Sequence, residues 1–315
     1  MRDEERFKMA KYTLDQLARM IDHTNLKADA TTADIEKLCA EAKQYHFASA
    51  CFNQVKSPVG GISLAGTDIK ACAVISFPFG QTSIEAKVFE TENALQNGAN
   101  EIDYVINISA AREGNWDYIK REMEAVVAVC NKYDALSKVI FENCYLTENE
   151  KIKLCEIATI VKPSFVKTST GTAISGATVE DIALMSRLTP DDVGVKASGG
   201  IRTAKTFIEM LRNGATRVGA SAGIKIIEEL KERYFVNGEE YLDVMNTHIP
   251  ADDLVAIKVT RLNELLETDQ YLAEEYFKLL FELECELGIA NEQLLSIGLK
   301  RKAKTLIKAA TAKRE

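Results

Sequence analysis

Eight times between about residues 19 and 220, a short apolar run gives way to a longer stretch with apolar side chains every three or four positions. The short runs lie near 19–23, 48–53, 70–76, 100–106, 137–142, 164–168, 193–197 and 216–220. Several are continuous, as in Ala71-Cys72-Ala73-Val74-Ile75, which suits strands covered on both faces. The clearest helical stretches fall near 81–98, 117–133 and 177–188, the last entered at Thr178-Val179-Glu180-Asp181. Eight strand–helix units predict an α/β TIM (β/α)8 barrel. A doubly wound open sheet is the rival, but no GxGxxG follows any strand, which weakens its dinucleotide-binding form.

After Val236-Asn237-Gly238 the pattern changes. The reading therefore divides the chain into a barrel domain, 1–236, and a C-terminal helical extension, 237–315. The extension shows no clear strand. Its leucines from Leu262 to Leu287 recur at helical spacing and call for a partner surface. The basic tail Lys300–Glu315 reads as a solvated helix end.

Net charge decides what the chain can bind. At −8 it argues against nucleic acid as a partner, while leaving room for a local basic site for a small phosphate. No apolar run is long enough to span a bilayer, and Met1–Arg6 does not read as a signal peptide. The seven cysteines include no CxxC pair and read as reduced core residues of a cytoplasmic protein.

Two lysines are out of place. Lys167 ends the apolar segment Ser164-Phe165-Val166 and opens into Thr168-Ser169-Thr170-Gly171, while Lys196 ends Val193-Gly194-Val195 and opens into Ala197-Ser198-Gly199-Gly200. Burial disfavours an ammonium, and so does a second cation nearby. A neutral amine attacks carbonyls and yields a Schiff base. A lone lysine of this kind reads as a strand end snorkelling into water. Two at matching ends of the sixth and seventh strands read as one site at the C-terminal mouth of a barrel. Asp103, within Glu101-Ile102-Asp103-Tyr104-Val105, needs a partner, and the lysines are the natural candidates whether the role is catalytic or structural. Glycine-rich turns follow strands seven (Gly199, Gly200) and eight (Gly219, Ser221), where barrels often present backbone N–H groups to a phosphate.

These segments resemble the deoxyribose-phosphate aldolase family. The resemblance is carried by Lys167-Thr168-Ser169-Thr170-Gly171, by Val193–Thr203, by Glu101–Asn107, and by Ile21-Asp22-His23-Thr24-Asn25-Leu26, Ser76-Phe77-Pro78-Phe79-Gly80 and Arg217–Ser221, in the family's order over roughly 15–235. It implies a class I aldolase without metal or cofactor, reversibly cleaving 2-deoxy-D-ribose 5-phosphate to acetaldehyde and D-glyceraldehyde 3-phosphate. It implies Lys167 as the Schiff-base lysine, Lys196 as the second lysine that eases its deprotonation, and Asp103 as the relay carboxylate. Asp22 and Thr24 fall to supporting positions and Cys51 to a place near the small aldehyde. Gly171, Gly199, Gly200, Gly219 and Ser221 fall to the phosphate loops. A homo-oligomer, dimer or tetramer, is expected. The pattern departs at Thr172, where some members carry a lysine, and in the extension, which leaves the closing tyrosine of some members without a counterpart. A transaldolase-like or keto-acid aldolase and a non-catalytic sugar-phosphate sensor are the alternatives.

Overall fold

The computed structural model describes residues 11–236 and 238–249. The leucine stripe 262–287 and the basic tail 300–315 lie outside the described residues. Eight strands form a closed parallel barrel: β2 (Ile21–Asn25), β3 (Ser49–Asn53), β4 (Lys70–Ile75), β5 (Glu101–Val105), β6 (Leu136–Ile140), β7 (Phe165–Lys167), β8 (Gly194–Ser198) and β9 (Arg217–Ala220). β9 closes on β2 through the pairs Ile21↔Val218 and Asp22↔Gly219. Each strand coincides with one expected apolar run, and β5 is buried at every position, as a strand walled by lumen and helices must be.

Helices cover the barrel, and their starts are written in the sequence. Thr31, Thr147 and Thr203 each accept from the backbone three residues on, while Asp34, Glu150 and Thr206 reach back in reciprocal capping boxes. Thr178 caps the helix Val179–Leu188 through the Asp181 amide, as its sequence suggested.

A two-residue ribbon lies outside the barrel. Lys11–Tyr12 (β1) pairs antiparallel with Leu242–Asp243 (β10), and Arg212 donates to the carbonyls of Val244 and Thr247. A strand this short leaves no periodic signal, so the stretch after residue 239 showed none.

One ion pair is buried between helices and barrel. Lys87, on Ile84–Gln96, donates to Glu122 at 2.6 Å and to the Val105 carbonyl at 2.7 Å. Glu122, on Trp116–Lys132, also accepts from the Asn107 amide at 3.0 Å. Among the described residues no helix is long and apolar enough to cross a membrane.

Candidate active site

Strand alternation decides which side chains enter the barrel. Lys167 on β7 and Lys196 on β8 are direct register partners, and Lys196 is in turn the partner of Arg217 on β9. Across the lumen Asp103 on β5 pairs with Lys138 on β6. Asp103 Oδ2 accepts from Lys167 Nζ at 2.8 Å and from Lys196 Nζ at 2.6 Å, while Oδ1 accepts from Lys138 Nζ at 2.7 Å. Lys196 also bonds Asp22, which accepts from Arg217 at 2.7 Å. Lys138 reaches Glu101 at 2.6 Å. Four cations thus share three carboxylates in one buried network.

The network favours the charged forms of Asp103, Asp22, Lys196 and Lys138. Burial alone would raise the Asp103 pKa, yet Lys138, Lys167 and Lys196 hold it well below the carboxylate range. Asp22 is lowered in the same way by Lys138, Lys196 and Arg217. Conversely, burial opposes the charge on Lys196, but Asp103 and Asp22 outweigh it and keep the ammonium above its usual range. Lys138 is raised for the same reason.

Access separates these cations. A cavity of about 870 Å³ opens at the C-terminal ends of the strands, and Lys167 lines it, whereas Lys138, Lys196 and Arg217 do not. Thr24, Gly171, Gly199, Gly200, Gly219 and Ser221 line the same cavity. The expected residues therefore divide in two. Lys167, Lys196, Asp103 and Asp22 meet in the network, and the loop residues meet around the cavity with Lys167. Cys51 joins neither set directly. It is buried in a lumen cluster with Cys72 and Val74.

Glycine shapes the mouth. Gly171 and Gly199 sit at φ +86° and +87°, and a Cβ on Gly176 would fall 2.2 Å from the Gly199 carbonyl oxygen. The loops after β7 and β8 thus pack backbone against backbone, and Ala177 N–H seals them by donating to the Ser198 carbonyl at 2.9 Å. Gly219 leaves room for Lys196, whose Cε would lie 3.1 Å from an added Cβ.

Residues 16–229 match the DeoC/LacD family of aldolases. The chain belongs to this family. The deoxyribose-phosphate aldolase of Lactobacillus acidophilus is 57% identical over 223 residues, covering 71% of this chain and 94% of the relative. That of Thermoanaerobacter sp. is 51% identical over 214 residues, covering 68% and 96%. Among solved structures, the tetrameric deoxyribose phosphate aldolase from Aeropyrum pernix superposes with a TM-score of 0.65 at 31% identity, covering 71% of this chain and 94% of that one. The family match ends at residue 229, so the extension has no part in it.

Several residues of this candidate site were not singled out in advance. Lys138 sits inside Ser137-Lys138-Val139-Ile140 and was open to the argument made for Lys167. Glu101 is two residues before Asp103, hence on the same strand face. Glu142 had no such signal. It stands at φ +56° just past β6, is buried, and accepts from the Thr170 amide with both oxygens at 3.2 Å. Burial raises its pKa against the pull of that amide and of Lys167. His23 bonds Glu41 at 2.9 Å on the cavity wall, and its Nδ1 has no protein partner.

Proposed function

We propose that this chain is a class I aldolase that reversibly cleaves 2-deoxy-D-ribose 5-phosphate to acetaldehyde and D-glyceraldehyde 3-phosphate through a Schiff base on Lys167. The observation that carries this reading is the position of Lys167. It is the lumen cation that faces the cavity, and it shares Asp103 Oδ2 with Lys196. With four cations against three carboxylates, Lys167 can serve as a free amine while the rest of the cluster stays balanced. It condenses with the open-chain aldehyde, and the iminium withdraws electrons from C2. Asp103, with Lys196 and a water, takes the C3 hydroxyl proton as the C2–C3 bond breaks. The enamine is then protonated and hydrolysed, releasing acetaldehyde.

The phosphate end follows from the other wall. Gly199 and Gly200 turn backbone toward the cavity. The helix Gly223–Tyr234 starts at Ala222 without a side-chain cap, so its first amides are available to an anion. Arg202 and Lys225 line the same wall and add the positive charge that Thr172 does not supply. The Ser198 hydroxyl, buried and without a protein partner, is a further hydrogen-bonding group on the cavity.

The reading places the enzyme in the cytoplasm, in the breakdown of deoxyribose phosphates, as a homo-oligomer that needs no metal or organic cofactor. The A. pernix relative is described as a tetramer, and exposed Val55, Ile62 and Phe89 offer apolar surface for self-association. The boundary near residue 237 and an extension without chemistry belong to the same proposal. They are supported by the family match, which ends at residue 229. The test is borohydride reduction of the full chain in the presence of acetaldehyde, with the adduct located by peptide mass. An adduct on Lys167 is expected. No adduct, an adduct on another lysine, or trapping by a ketone or keto acid in preference to acetaldehyde overturns the assignment.

A further inference from the structure

The lumen carries two thiols that the aldol steps do not use. Cys51 on β3 and Cys72 on β4 are direct register partners on neighbouring parallel strands. Both are buried, and their sulfurs lie with a carboxylate oxygen of Asp103 within 4.8 Å of one another. Register partners on adjacent strands stand about 4.8 Å apart at Cα, inside the window of roughly 4.4–6.8 Å that a disulfide spans. The Cys72 sulfur is also tied to the network, 3.1 Å from Asp103 Oδ1 and 3.2 Å from Lys138 Nζ. Thr24, the register partner of Cys51 on the other side, lines the cavity, so this thiol pair lies one strand from the cavity wall.

We propose that Cys51 and Cys72 are an oxidation site, closing to a reversible disulfide when the enzyme meets a peroxide and thereby suppressing turnover. The chemistry has an order. The Cys51 thiol is held below its ordinary pKa range, first by its interaction with the Cys72 sulfur and then by Lys196 and Lys167, against burial and Asp103. Cys72 is pushed the other way, first by burial and then by that same interaction. Cys51 thiolate is therefore the attacker. It takes one oxygen from hydrogen peroxide to give a sulfenic acid as the O–O bond breaks, and the hydroxide that leaves takes up the proton the Cys51 thiol had released and becomes water. The Cys72 sulfur then attacks the Cys51 sulfur. The S–O bond breaks, and hydroxide departs with the Cys72 proton as a second water. Two thiols are oxidised and one peroxide is reduced. The new bond draws the Cys72 sulfur away from Asp103 and Lys138, so the carboxylate shared by the lysines loses a donor.

The activity half of this proposal rests on the aldol reading, whereas the bond itself does not. The reduced full chain is treated with hydrogen peroxide, alkylated under denaturing conditions and cut after lysine, which separates the two cysteines at Lys56 and Lys70. The expected product is a Cys51–Cys72 linked peptide, with turnover falling about tenfold, the scale of one lost hydrogen bond, and dithiothreitol restoring both. Cys51→Ser should give no linked peptide and no loss recoverable by dithiothreitol, relative to its own untreated turnover. Sulfinic acid on Cys51 without the link, a link through another cysteine such as Cys144, or the correct link with unchanged turnover overturns the proposal. Absence of aldol turnover before treatment would instead sink the aldolase reading and leave the linked peptide to decide the bond.

Discussion

Among the described residues, lysine–carboxylate pairs are fully buried in two places, and electrostatics runs in opposite directions in them. Between the helices and the barrel, burial outweighs the attraction between Lys87 and Glu122. Lys87 is shifted down and Glu122 up, each toward its neutral form. In the lumen the attraction outweighs burial, and Asp103, Asp22, Lys138 and Lys196 are all shifted toward their charged forms. The difference is number. Glu122 is paired with one lysine, whereas Asp103 is paired with three. Nor does the Lys87 pair line the cavity. A buried lysine with a carboxylate partner is therefore not a sign of chemistry on its own. Access and a surplus of cations distinguish Lys167.

The comparison breaks most sharply at Lys167. Lys167→Arg keeps the charge beside Asp103 but cannot form an imine, and turnover should fall below detection in a retro-aldol assay. Appreciable residual activity would remove the distinction between the two clusters. Lys196→Leu should follow, with a loss of about 10²–10⁴-fold from impaired proton transfer and an altered pH profile. An unchanged profile at full activity would reduce Lys196 to a structural ion.

At Gly200 a Cβ would meet nothing within 4 Å, so Gly200→Asp places a carboxylate in open space beside the proposed phosphate seat, at the cost of backbone strain from φ +80°, which falls on both sugars alike. KM for the phosphorylated sugar should rise about tenfold or more through like-charge repulsion, with a smaller change for deoxyribose. Equal losses for the two sugars would move the phosphate elsewhere.

Lys87→Met should leave kcat per folded molecule nearly unchanged and cost about 3–5 kcal/mol of stability, because Glu122 is left buried and unpaired. Replacing both partners, Lys87→Met with Glu122→Leu, should recover most of that loss in a denaturant titration. A collapse of kcat in the double variant would show that the helix-side pair serves the site.

Acid should give the smallest effect and split the clusters by sign. Glu122 binds its proton more tightly folded than unfolded, so its contribution to stability grows as pH falls through its raised pKa. Asp22 and Asp103 are held low, so their contribution is complete above the unfolded value and is lost below about pH 4. In Tm against pH, Glu122→Gln should reduce the first component, to which Glu90 and Glu142 also contribute, and leave the second.

Much of this was legible in the sequence, for reasons that differ from residue to residue. The continuous apolar runs disclosed every barrel strand because parallel strands are buried on both faces. Lys167 and Lys196 disclosed themselves by ending such runs before glycine turns. Lys138 sits mid-strand and Glu101 opens its strand, so neither has a turn after it to mark it, and only the pairing of β5 with β6 brings Lys138 to Asp103. Glu142 could not be read at all. Its role depends on a left-handed backbone and on a contact with Thr170, 28 positions away. Nor does any sequence pattern say that Lys167 alone of the lumen cations looks out at the cavity.

The glycine seam between the loops after β7 and β8 has a consequence for anyone who would reshape this enzyme. Gly171, Gly176 and Gly199 touch through main chain alone, so a side chain introduced at Gly176 or Gly199 must displace the other loop. The two loops are one mechanical part. A library that varies the loop after Lys167 while holding the loop after Lys196 fixed will mostly sample misassembled mouths, and paired insertions that preserve the seam are the route to a wider range of aldehydes.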